Sequence, residues 1–161
     1  NNANTITAKT KTKNNKMEIT QINVQHAHEP SLTLLNNIEN SLDLNIPHAI
    51  CIQEPLCNTD RKPMDIPSTY ICHNIDTKDK NPRAAIYTSE KLTTKCLPHK
   101  ELSDRDTYTI SIPDSTDNKK RVYLCSVYMP YEEAINKGKF IETIKKANQS
   151  RQGSRVRVGL W

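Results

Sequence analysis

The stretch His48-Ala-Ile-Cys-Ile-Gln-Glu54, framed by Pro47 and Pro55, constrains the fold of this chain more than any other segment. Its run of Ala49, Ile50, Cys51 and Ile52 is too short for a helix and has no polar alternation, so it reads as an interior strand covered on both faces. Proline offers no N–H and restricts the residue before it, so the two prolines close the run at either end. A strand buried on both sides needs a packed layer above and another below, which points to a mixed α/β architecture.

The neighbouring patterns supply candidate layers. Glu18–Gln25 places Ile19, Ile22 and Val24 in imperfect alternation, the mark of a strand with at least one buried face. Pro30 suits a first helical position. Leu32, Leu35, Ile38 and Leu42 then recur at helical spacing with Leu34 alongside, and Pro47 ends that helix. Pro55, Pro63 and Pro67 mark residues 55–68 as a loop. Tyr70–Cys72, Arg83–Thr88, Thr107–Ile112 and Arg121–Tyr128 read as further strands, with turn-like gaps at 76–82 and 113–118. Pro130 stops the last of them. A helix is expected from about Glu132 into Ala147, weakened by Gly138, and Val156-Arg-Val158 begins one more strand. One βαβ unit followed by a meander predicts a mixed sheet with helices against it.

Composition excludes several classes. Mean hydropathy is −0.74 with 35% hydrophobic residues, polar but richer than a wholly disordered chain. No apolar run approaches the roughly 18 residues of a membrane span, so no membrane role is expected. The five cysteines form no C-x-x-C and mostly lie in or beside apolar runs, which argues for free thiols in a reducing, intracellular compartment. The chain opens on Asn-Asn-Ala-Asn, without Met or a cleavable apolar leader, so it is expected to be a piece of a longer, non-secreted polypeptide.

The net charge of +5 is unevenly spread. Residues 1–17 carry Lys9, Lys11, Lys13 and Lys16 with no acid, and 145–157 carry five basic residues with none, leaving an acidic body. Residues 1–17, rich in Asn, Thr and Lys, read as a disordered linker before a domain at 18–161. The basic flanks read first as solvated tails. They also leave open a second function class, a non-catalytic nucleic-acid-binding or interaction module.

Three polar residues stand at comparable places: Asn23 near the end of the first strong strand, Glu54 closing the second, and Tyr128 closing the last. Carboxyl ends of strands in α/β sheets face the crevice where ligands bind. A carboxylate, an amide and a phenol together suit a hard divalent cation and a phosphodiester. On spacing alone, the simpler reading of Glu54 is a strand-end carboxylate in water or paired with a lysine. A zinc site is not supported: His26-Ala-His28 has no third ligand at suitable spacing and reads as loop histidines. Cys51 and Cys125 read as core.

Five blocks in order, Ile22-Asn-Val-Gln25, Ala49-Ile-Cys-Ile-Gln-Glu-Pro55, Arg83-Ala-Ala-Ile86, Asp104-Arg-Asp106 and Val122-Tyr-Leu-Cys-Ser-Val-Tyr-Met-Pro130, resemble the endonuclease/exonuclease/phosphatase-type domain at the front of non-LTR retrotransposon polyproteins. The resemblance covers about residues 18–147. It implies a four-layer α/β sandwich, here truncated to roughly its N-terminal half, and Mg²⁺- (or Mn²⁺-) dependent nicking of target DNA in the nucleus, upstream of a reverse transcriptase domain. It also implies that Glu54 ligands the metal with Asn23, that Asn23 positions that carboxylate and the phosphate, and that Tyr128 hydrogen-bonds a phosphate oxygen. Arg83 and Arg105 match recurrent arginines without an assigned role.

The family's later Gly-Asp-x-Asn and Ser-Asp-His motifs do not occur in these 161 residues. In the family they position the attacking water and supply the base. Loss of general-base help costs ~10²–10⁴-fold, so no detectable nicking is expected of the chain alone. A half-fold of this kind is also expected to expose apolar surface where a second sheet should pack.

Overall fold

The computed structural model describes residues 6–10, 17–40, 47–114, 117, 119–129, 142, 145 and 155–160. The helix expected from Glu132 into Ala147 lies almost wholly outside the described residues. Two sheets form the body. The first has five strands: β1 (Ile6–Thr10), β2 (Met17–Asn23), β3 (Ala49–Gln53), β4 (Tyr70–His73) and β5 (Ala84–Ser89), in the spatial order β1-β2-β3-β5-β4. The second contains β6 (Leu97–Pro98), β7 (Thr107–Pro113), β8 (Arg121–Val127) and β9 (Arg155–Leu160), in that order. Helix α1 (His28–Glu39) joins β2 to its parallel neighbour β3, and a single turn, α2 (Glu90–Thr93), follows β5.

β3 sits at the centre of the first sheet, buried at all five positions, as its uninterrupted apolar run requires. Its alternation feeds two cores. Ile50 and Ile52 pack with Ile22, Val24, Tyr87 and the helix residues Leu34 and Ile38. Ala49 and Cys51 instead face the second sheet, packing with Ile86, Tyr108, Ile110 and Leu124. The layers are therefore helix, sheet and sheet, and burial of each Ile or Leu is worth about 1.5–3 kcal/mol of transfer free energy. The expected bare inter-sheet face is corrected by this packing, because β7 and β8 cover it.

Helix α1 departs from its sequence pattern. It begins at His28, so Pro30 is its third residue, in a first turn whose N–H groups have no intrahelical acceptor anyway. The stripe it buries is Ser31, Leu34 and Ile38 rather than Leu32 and Leu35; Leu32 is 43% exposed. The reason lies upstream. The chain leaves β2 through Gln25 and His26, both left-handed (φ 53° and 54°), and this turn sets the rotation at which the helix meets the sheet. Ser31 then fits against the turn, its hydroxyl donating to the Ala27 carbonyl at 2.9 Å.

Part of the segment read as a linker is strand. Ile6–Thr10 runs antiparallel along β2, with Ile6 opposite Gln21 and Thr10 opposite Met17. An edge strand needs only backbone donors and acceptors, and a lysine-bearing polar sequence is well suited to that position. At the other end of the chain, Val156-Arg-Val158 lies within β9, parallel to β8.

Candidate active site

Parallel pairing sets Asn23 beside Gln53, the last residues of β2 and β3, so Glu54 emerges next to Asn23 at the carboxyl end of both strands. Antiparallel pairing brings the start of β5 to the same end, with Ala84 opposite Gln53. In the second sheet, Thr107 pairs with Val127, which delivers Asp106 and Tyr128 together. Backbone bonds tighten the junction. The Glu54 N–H donates to the Arg83 carbonyl at 2.8 Å, and the Tyr128 N–H donates to the Asp106 carbonyl at 2.8 Å.

Glu54 itself takes a left-handed conformation at φ 49°, a cost of roughly 1–2 kcal/mol for a non-glycine residue. Three of the five described non-glycine residues with positive φ, Gln25, His26 and Glu54, lie at this one end of the sheet. Backbone held off its preferred regions must be over-determined by its surroundings. Here the His26 N–H donates to the Glu54 carbonyl at 2.8 Å, and the His26 ring Nδ1 lies 3.1 Å from the Pro55 carbonyl.

The side chains converge as well. The Tyr128 hydroxyl and the Glu54 carboxylate come close enough to interact. Burial first, and then the neighbouring Glu54 carboxylate, push the Tyr128 phenol above its ordinary value, with the Arg83 cation pulling the other way. The phenol is thus held as a proton donor at neutral pH. The Glu54 side chain remains 19% exposed, with Oε1 3.7 Å from Nε2 of His26. Asn23 Oδ1 accepts the Gln25 N–H at 2.8 Å, which fixes the amide on the turn and leaves a second lone pair on that oxygen.

Around this trio the structure adds residues to which the sequence assigned no role. Arg83 Nε and Nη2 each donate to an oxygen of Asp106 at 2.7 Å, a two-pronged pair with both side chains largely buried. The Arg83 guanidinium lies 4.7 Å from the centre of the Tyr128 ring. Gln53, fully buried, donates from Nε2 to Ser126 Oγ at 3.0 Å, and Ser126 donates to the Ile52 carbonyl at 3.1 Å. His26, read from the sequence as a loop histidine, instead stands at the site beside Glu54. Arg83 and Asp106 both stood in sequence blocks, but nothing local paired them.

The donor set fits a hard divalent ion rather than a soft one. Among the described residues no three His, Cys, Asp or Glu side chains converge as a metal cage. One accessible carboxylate with an amide oxygen beside it matches the way Mg²⁺ is held, by few protein oxygens plus water and phosphate. His28, the other histidine of the pair, is instead 3.3 Å from Asp65 Oδ2. All five cysteines are free, with Cys51 and Cys125 buried.

Two mixed sheets stacked face to face, with helix α1 on one outer side and a polar cluster at the strand ends, constitute a fold of the endonuclease/exonuclease/phosphatase type. Among solved structures, the chain is similar to the endonuclease domain of TRAS1, a telomere-specific non-LTR retrotransposon. The TM-score is 0.62 at 16% identity, over 88% of this chain and 57% of that one. No family model and no curated protein matches the chain.

Proposed function

We propose that this chain carries the Glu54 side of a metal-dependent phosphodiesterase site that nicks DNA in the nucleus during retrotransposition, within a parent that also bears a reverse transcriptase. The observation that supports it is the meeting of strand ends from two different sheets, where Tyr128 comes beside Glu54 around one accessible carboxylate. Two strand-end residues with merely solvated roles have no reason to meet.

In this reading Glu54 and Asn23 would hold Mg²⁺ or Mn²⁺, which when bound would supply charge neutralisation at a phosphodiester. Asn23, its oxygen pinned by the Gln25 N–H, stands at the neighbouring strand end. Tyr128, kept protonated, donates to a phosphate oxygen as negative charge develops there, a contact that strengthens toward the transition state. The 161 residues contain neither Gly-Asp-x-Asn nor Ser-Asp-His to place and deprotonate a water. The chain alone is therefore proposed to bind metal without cleaving.

The test pairs two measurements on the 161-residue chain. Mn²⁺ titration followed by paramagnetic resonance should show binding that Glu54→Gln abolishes, while supercoiled plasmid with Mg²⁺ stays uncut. Relaxation of plasmid that disappears in Glu54→Ala would overturn the inactivity. Absence of Mn²⁺ binding, with DNA affinity falling steeply with salt and indifferent to Glu54→Ala, would instead establish the non-catalytic binder.

A further inference from the structure

We propose that Arg83, gripped by Asp106, is a positioning residue that aims the Tyr128 hydroxyl at Glu54. The proposal rests on the site reading above and extends it to two residues outside the Asn23–Glu54–Tyr128 trio. Four contacts close into a ring. Glu54 is tied to Arg83 through its N–H, Arg83 to Asp106 through the fork, and Asp106 to Tyr128 through its carbonyl, while the Tyr128 phenol and the Glu54 carboxylate lie close enough to interact and complete it.

Each link has a physical role. A tyrosine just past the end of a strand is free to rotate about two side-chain torsions, and its hydroxyl swings through several ångströms unless the ring is held. The guanidinium at 4.7 Å from the ring centre supplies a flat cationic surface for the ring to rest on. The fork to Asp106 fixes the plane of that surface, because two parallel N–H···O bonds permit one orientation where a single bond permits many. Arg83 also spans the two sheets. It precedes β5 of the first, whereas Asp106 and Tyr128 flank β7 and β8 of the second. Its main chain is anchored independently, the Arg83 N–H donating to the Arg105 carbonyl at 2.7 Å. A lysine in its place keeps the charge but has neither the fork nor the flat face.

The experiment is carbon-detected NMR on the 161-residue chain, reading the Glu54 side-chain carboxyl carbon. Tyr128→Phe defines the shift caused by losing the hydroxyl. Arg83→Lys and Asp106→Asn are each expected to move the Glu54 signal at least halfway toward that position while other glutamate signals stay put. A Glu54 signal at its native position in Arg83→Lys, in a chain whose amide spectrum remains folded, overturns the proposal and leaves Arg83 as an inter-sheet clasp. Should the variants not fold, the native chain decides: an Arg83 Nε–H that exchanges slowly and shows a cross-peak to the Tyr128 ring upholds it, and a missing cross-peak overturns it. Mn²⁺ broadening of the same carboxyl carbon separates the two claims. Lost broadening with retained variant shifts defeats the metal reading alone.

Discussion

Gln53 reaches across the interface of the two sheets and donates to Ser126 Oγ at 3.0 Å, although the residues are 73 positions apart. Both are fully buried, and Ser126 passes the interaction on to the Ile52 carbonyl at 3.1 Å. This polar rivet lies one residue before Glu54 and two before Tyr128, so it sets the spacing between the halves of the site. Gln53→Ala removes the donor and opens a cavity. It is expected to cost about 1–3 kcal/mol, read as a lower midpoint in urea unfolding. An unchanged midpoint would mean that the amide contributes nothing to sheet registry.

The two cores predict a sharp contrast between isoleucine and leucine truncations. Ile52, buried beneath α1, should lose about 2–5 kcal/mol on replacement by Ala. Leu32, on the outer side of the same helix, should lose no more than about 0.5 kcal/mol. Equal losses would show that the helix docks on the Leu32 stripe.

Alkaline pH should unfold the chain gradually. Burial raises the thiols of Cys51 and Cys72 to about 12 and that of Cys57 to about 11, from an ordinary 9.0. Between pH 9 and 12 the unfolded chain therefore releases protons that the folded chain keeps. Since stability falls with pH wherever the folded state binds more protons, the contribution is complete below pH 9 and vanishes across that window. Melting temperatures measured from pH 8 to 10.5 should drop progressively above pH 9. A flat profile would contradict the buried environment of these thiols.

Thiol reagents offer an independent view of the inter-sheet core. At pH 8 Cys51 and Cys125 should resist a disulfide-exchange reagent for as long as the fold persists, and both should react at once in denaturant. Rapid labelling of Cys125 in the native chain would indicate that β8 is not covered.

How far the sequence reaches is clearest from particular elements. β3 was legible because an apolar run between two prolines leaves the backbone no other satisfactory state, and with it came the position of Glu54. Asn23 and Tyr128 were legible as strand-end residues for the same local reason, although a strand end does not say which other ends stand beside it. Helix α1 was legible as a helix but not in its rotation. Leu32 and Leu34 are both apolar, and the choice between their stripes is made by the left-handed turn at Gln25 and His26.

The edge strand β1 left no trace, since edge pairing draws on backbone groups that every residue shares. Tyr128 read as a strand-end site residue, whereas Arg83 and Asp106 stood in separate sequence blocks with no role assigned. Their union depends on how two sheets stack, which is a matter of long-range packing with no local signature. Local sequence therefore determined which segments become strands and which polar groups stand at their tips. Only tertiary structure decided which tips meet, because charge pairing between residues 23 positions apart exists only after the hydrophobic layers have brought the strands into contact.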